Sequence, residues 1–154
     1  MPVTVGDPVP DFTLPRDGGG TTGPADYRGR KLVLYFYPKD DTPGCTTEAL
    51  DFTARLADFE AAGTSVLAIS KDSVKSHDRF RDKHGLAVPL LSDEDGAVVE
   101  GFGLWGEKTM YGRTFMGVER ATFLVDADGI VRRIWRSVKV KGHVEEVLEA
   151  ARAL

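Results

Sequence analysis

The sequence predicts an α/β fold built on one central mixed β-sheet flanked by helices. Two continuous apolar runs of strand length carry the prediction, KLVLYFYP (Lys31 to Pro38) and TSVLAIS (Thr64 to Ser70). Unbroken apolar runs are the mark of strands covered on both faces. The third observation is ATFLVDADGIVRRIW (Ala121 to Trp135), two β-rich runs around Asp128-Gly129. That pattern reads as an antiparallel hairpin.

In chain order, DGGGTTGP (Asp17 to Pro24) is read as a loop between short strands. The strand Lys31 to Pro38 follows. After a polar turn, Ala49, Phe52, Leu56 and Phe59 recur at helical spacing, and Gly63 closes that helix. The spacing predicts one helix from Cys45 to about Ala62. Thr64 to Ser70 is the second buried strand, and Ser73 to His84 is a helix with a weaker apolar stripe. Pro89 to Leu91 is extended, and Ala97 to Phe102 is a short helix. The hairpin comes next, and Gly142 to Leu154 is a final helix with Val144, Val147, Leu148 and Ala151 on one face. The order β-α-β-α followed by β-β-α is that of a thioredoxin-like fold.

At 154 residues the chain is read as one domain, residues 1–154, long enough to bury a core without metal or disulfide support. A net charge of -4 argues against nucleic-acid binding, which needs a basic surface. The N-terminus, MPVTVGDPVPDF, lacks the basic and apolar regions of a secretory signal. The run LVLYFYP is too short to span a bilayer. One cysteine cannot form an internal disulfide, and a reducing cytoplasm is the expected compartment.

That cysteine is Cys45, in YFYPKDDTPGCTTEALDF (Tyr35 to Phe52). A lone cysteine commonly serves as a small buried hydrophobe. Cys45, however, follows the turn Asp40-Asp41-Thr42-Pro43-Gly44 and opens a helix. A helix N-terminus offers partial positive charge and unpaired N–H groups, which favour a reactive thiolate over a thiol.

Pro38, Thr42 and Cys45 fit the pattern P-x-x-x-T-x-x-C, and in these residues the chain resembles the peroxiredoxins. The wider string YPKDDTPGCTTEALDF, together with WGEKTMYGRTFMGVERATFLVDADG (Trp105 to Gly129) and PVPDFTLP, is similar to the peroxiredoxin Q (bacterioferritin comigratory protein) subfamily. The resemblance implies a thiol-dependent peroxidase that reduces hydrogen peroxide and organic hydroperoxides, with no cofactor and no metal. It casts Cys45 as the nucleophile, and Thr42 as a hydroxyl donor to the thiolate and the peroxide. Pro38 shields the pocket, Arg120 approaches the sulfur from another strand, and Glu48 orients that arginine. Taken singly, these residues also fit a strand end, a turn residue, a solvated charge and a complement to the helix dipole.

The chain departs from many members of that subfamily at Leu50, where they carry a second, resolving cysteine. The sulfenic acid on Cys45 therefore needs an external thiol: thioredoxin, a glutaredoxin-type protein or a low-molecular-weight thiol. Leu50 is expected to pack instead. A monomer or weak dimer is implied, with no nucleic-acid or membrane partner. Two other readings use the same fold: a redox sensor or relay acting through Cys45, and a non-catalytic binding domain.

Three further signals carry no function. Gly101 to Gly106 satisfies G-x-G-x-x-G, but it does not run from a strand into a helix as a dinucleotide site must. Asp126 to Gly129 echoes part of a calcium loop and is better read as the hairpin turn. His77, His84 and His143 lack metal-ligand spacing and are read as surface residues. Trp105 and Trp135 are read as partial core or pocket wall.

Overall fold

The computed structural model describes residues 2–154. Two short strands, β1 (Leu14–Pro15) and β2 (Thr21–Thr22), form a small ribbon and lead into a 3₁₀ turn at Pro24–Tyr27. The central sheet has five strands: β3 (Lys31–Phe36), β4 (Thr64–Ser70), β5 (Leu90–Ser92), β8 (Ala121–Val125) and β9 (Val131–Trp135). Their spatial order is β5-β4-β3-β8-β9. β3 pairs in parallel with β4, and β4 with β5, while β8 runs antiparallel to both β3 and β9. The sheet is therefore mixed, as the sequence predicts, with β3 at its centre.

The pleat sends alternate residues of β3 into two separate cores. Val33, Tyr35 and Tyr37 meet Phe52, Phe59, Phe80, Val147 and Leu148 on one face. Leu32, Leu34 and Phe36 meet Val99, Phe102, Leu104 and Phe123 on the other. The first face is covered by α1 (Pro43–Ala54), α2 (Leu56–Ala61), α3 (Val74–His84) and α5 (His143–Ala153). The second face is covered by α4 (Ala97–Gly101) and the N-terminal segment.

Three sequence expectations need correction. The helix expected from Cys45 to about Ala62 is two helices. It breaks at Arg55, whose amide is shared between the carbonyls of Asp51 and Phe52. Arg55 also binds Glu145 on α5, so the turn of the chain there is tied to another element. Leu50 does not pack: it is 41% exposed. Five residues past Cys45 it lies about 140° further round the helix, so burying Cys45, Ala49 and Phe52 turns Leu50 outward. His77 and His143 are buried rather than on the surface.

A second hairpin, β6 (Trp105–Met110) and β7 (Arg113–Val118), not evident from the residue pattern, forms its own two-stranded sheet. The G-x-G-x-x-G stretch leaves α4, turns at Gly103 (φ +77°) and enters β6, the reverse of a dinucleotide-binding order.

Candidate active site

Three elements bring the site together. β3 ends at Phe36, and Tyr37 and Pro38 carry the chain out of the sheet. The loop Lys39 to Thr42 turns it back into α1, with Thr42 at the N-cap and Pro43 in the first helical position. Proline suits that position because its missing N–H has no helical partner to lose. Cys45 then lies in the first turn of α1, 2% exposed, beside the unpaired amides of the helix N-terminus.

Arg120 arrives on the segment joining β7 to β8. Its Nη2 lies 3.4 Å from Cys45 Sγ, and its Nη1 donates to Glu48 Oε1 at 2.8 Å. Gly44 makes room for this approach, since a Cβ there would stand 3.2 Å from Arg120 Nη2. Burial works against the Arg120 charge, yet Glu48 and Cys45 hold its pKa above the ordinary value. Glu48 is fully buried, and burial pushes its carboxyl up from 4.5 to about 7 against the pull of Arg120. Its second oxygen, Oε2, has no hydrogen-bond partner among the described residues, and neither has the Tyr35 hydroxyl. Burial first, then the charges of Glu48 and Cys45, keep Tyr35 a neutral phenol.

Thr42 is the N-cap of α1, but its hydroxyl donates to the Lys39 carbonyl at 2.8 Å and not, as the resemblance implies, to the sulfur. Pro38 is half-buried and lines an open cleft of about 470 Å³ with Trp105, Lys108, Glu119 and Arg120. Trp105 is thus a wall of this cleft, and Trp135 packs half-buried against the core. Lys108 went unmarked in the sequence because its charge reads as a solvated one. Its Nζ reaches back to the Val118 carbonyl at 2.8 Å, and burial and then Arg120 lower its pKa.

Behind the loop, Asp40, Asp72 and His77 bring ligand-type atoms within 4.8 Å of one another. These atoms already bond one another and their neighbours: Asp40 Oδ2 with His77 Nδ1 and Ser76 Oγ, Asp72 Oδ2 with the Asp40 amide and Ser70 Oγ. The cluster reads as a closed internal network rather than a metal centre.

A cysteine at a helix N-terminus, faced by an arginine bonded to a buried glutamate, on a thioredoxin-like sheet, is the arrangement a thiol-based redox enzyme would use. Residues 5–134 match the AhpC/TSA family. The chain is 48% identical to a putative peroxiredoxin bcp of Coxiella burnetii, over 96% of this chain and 98% of that protein. It is 51% identical to peroxiredoxin Bcp of Xanthomonas campestris, over 93% and 89%. Among solved structures, Xanthomonas campestris peroxiredoxin Q superposes with a TM-score of 0.87 at 51% identity, covering 92% of this chain and 90% of that one. A cysteine mutant of Xylella fastidiosa PrxQ gives 0.93 at 43%, covering 99% and 98%. The chain belongs to the AhpC/TSA family, in its peroxiredoxin Q/Bcp subfamily, whose members are thiol-dependent peroxidases.

Proposed function

We propose that this chain reduces hydrogen peroxide and organic hydroperoxides through Cys45, with an external thiol as reductant. The observation that carries the reading is the Arg120 guanidinium, bonded at once to Cys45 Sγ and Glu48 Oε1. In support, structural work on the Xanthomonas campestris relative concerns its alkyl peroxide reduction activity.

The Cys45 thiolate attacks one peroxide oxygen. An S–O bond forms, the O–O bond breaks, and hydroxide or alkoxide leaves and takes up a proton. Negative charge moves from sulfur along the O–O axis, and Arg120 stabilises it at both ends. A preorganised donor of this kind contributes about 3–4 kcal/mol. The Thr42 hydroxyl can exchange the Lys39 carbonyl for the incoming peroxide, and Pro38 keeps water from the sulfur. The product is a sulfenic acid on Cys45.

The chain has no second cysteine, so a thiol from outside displaces water from the sulfenic acid to give a mixed disulfide. A second thiol then releases Cys45. Thioredoxin, a glutaredoxin-type protein or a low-molecular-weight thiol can fill that role. The need for a steady thiol supply fits a reducing cytoplasm.

The test is peroxide consumption with a panel of these reductants, using Cys45→Ser as control. Turnover with at least one reductant and none in the variant is expected. No consumption with any of them would reject the reading.

A further inference from the structure

His77, on the inner face of α3, is fully buried and lies directly behind the loop that leads into Cys45. Its Nε2 is 2.9 Å from the Leu91 carbonyl on β5, and its Nδ1 is 2.7 Å from Asp40 Oδ2. A carbonyl cannot donate, so Nε2 carries a hydrogen. Nδ1 and a carboxylate oxygen cannot both accept from each other, so a proton also lies between them. The ring and Asp40 together therefore hold one proton more than a neutral histidine beside a carboxylic acid anion would.

Asp40 is tied down on every side. Its Oδ1 accepts from the Tyr37 hydroxyl at 2.6 Å, its Oδ2 also accepts from Ser76 Oγ at 2.8 Å, and its amide donates to Asp72 Oδ2 at 2.9 Å. The next residue, Asp41, has a left-handed backbone (φ +60°), a conformation that aspartate adopts more readily than most side chains. The far end of α3 holds it there: Lys83 Nζ and His84 Nε2 bond the Asp41 carboxylate at 2.6 and 2.8 Å. Both ends of α3 thus grip consecutive residues of one loop, and Thr42 and Cys45 follow directly.

We infer that His77 is a positioning residue for the peroxide reaction, holding Asp40 through its shared proton and so fixing the loop that presents Thr42 and Cys45 to Arg120. The inference rests on the proposed peroxidase reading for its kinetic readout. The groups facing His77 are Asp40 from the loop, Tyr37 at the end of β3, Asp72 after β4 and the Leu91 carbonyl on β5. Burial opposes the positive charge, but the bond to Asp40, then its charge, then the Leu91 carbonyl and Asp72, raise the His77 pKa. The clamp is accordingly closed while that proton is held and opens as pH rises through the raised value. Deprotonation then leaves a nitrogen lone pair against the Asp40 carboxylate.

The experiment has two arms on the full chain. Nitrogen-15 NMR follows the His77 ring through an alkaline titration, and iodoacetamide alkylation of Cys45 reads loop geometry without peroxide. Single-turnover peroxide oxidation is measured over the same pH range in the native protein and in His77→Gln. A glutamine amide can donate to Leu91 or to Asp40 but has no titrating proton. We expect both ring nitrogens protonated at the acid end of the range, and a native oxidation rate that falls with the same midpoint as the ring transition. His77→Gln should lose that pH step and react roughly tenfold slower or worse, since small misplacements of reacting groups are costly. A ring that is neutral over the whole range, or a folded variant with the native rate and pH profile, overturns the inference. If His77→Gln does not fold, the coincidence of midpoints in the native protein decides. If the native protein oxidises no faster than free cysteine, the peroxidase reading fails, and the alkylation profile against the NMR midpoint still decides the clamp.

Discussion

Arg120 Nη2 lies 3.4 Å from Cys45 Sγ, across a sequence separation of 75 residues. The contact joins the start of α1 to the segment before β8. Neither side chain is in contact with the other through local structure, so the sheet register between β3 and β8 sets the distance. The same guanidinium is held by Glu48 Oε1, so its aim at the sulfur does not depend on the sulfur alone.

Removing Arg120 should therefore cost chemistry more than fold. In Arg120→Met, single-turnover oxidation of Cys45 is expected to slow by about 10²–10³-fold. Circular dichroism should stay native. Arg120→Lys keeps the charge but cannot span Glu48 and Cys45 with one planar fork, so it should fall between the two. A folded Arg120→Met with native rate would return Arg120 to the solvated charges.

Gly44 offers a gentler perturbation of the same contact. Its new Cβ in Gly44→Ala would stand 3.2 Å from Arg120 Nη2, so the guanidinium must shift by a few tenths of an ångström. We expect a slowing of roughly two- to tenfold with little change in stability. Thermal melts and stopped-flow rates on the same sample separate the two effects.

The central sheet and the candidate site residues were legible in the sequence for different reasons. β3 and β4 showed themselves because strands buried on both faces must be apolar throughout. Cys45 stood out by its place at a helix start, whereas the roles of Thr42, Pro38, Arg120 and Glu48 came from a resemblance, and periodicity alone would not have joined Arg120 to α1. The β6–β7 hairpin was missed because Met110, Tyr111, Phe115 and Met116 are exposed along with its charges, and Val118 alone is buried, which imposes no alternation. The break at Arg55 was hidden because Phe52, Leu56 and Phe59 keep helical phase across it. His77 looked like a surface residue because the acid that makes its burial possible, Asp40, is 37 residues away.

Glu48 and His143 should act on stability in opposite directions over nearly the same pH range. Burial raises Glu48 from 4.5 to about 7, so the folded state holds a proton there that the unfolded state has released. Stability from this group is present below pH 4.5 and declines toward pH 7. His143, bonded to Thr122 Oγ1 and packed edge-on to Trp135, is lowered by burial from 6.5 to about 4. Here the unfolded state holds the extra proton, so stability rises from pH 4 to 6.5. Each effect is on the order of 3 kcal/mol. In the native chain they offset each other. Glu48→Gln keeps an acceptor for Arg120 but removes one titration, so its stability should climb steeply between pH 4 and 6.5. Relative to the native chain, it should gain most above pH 7. Urea unfolding at half-unit pH steps checks this, and a profile parallel to the native one would contradict it.

Leu50 permits a sharper test of what α1 does during turnover. On a helix, residues 45 and 50 are separated by about 7.5 Å of rise and about 140° of rotation. Disulfides rarely bridge Cα atoms more than about 7 Å apart. Leu50 is also 41% exposed, while Cys45 is 2% exposed and faces the core. A bridge between these positions therefore requires the first turns of α1 to unwind. The native chain has nothing to gain from unwinding, because burial of Ala49 and Phe52 holds that helix down and no second thiol rewards its release. Hydrogen exchange over residues 46–59 should thus be equally protected before and after peroxide treatment. Leu50→Ser should change stability by no more than about 0.5 kcal/mol, as expected of an exposed position. Leu50→Cys should behave differently: on oxidation it either remains a sulfenic acid or forms the bridge and loses protection across the same residues, read together by mass and exchange. A bridge formed with protection intact would show that α1 reaches across its own axis in a way the helix in this structure does not allow. Loss of protection in the native chain on oxidation would show that unwinding is a property of the site, independent of any second cysteine.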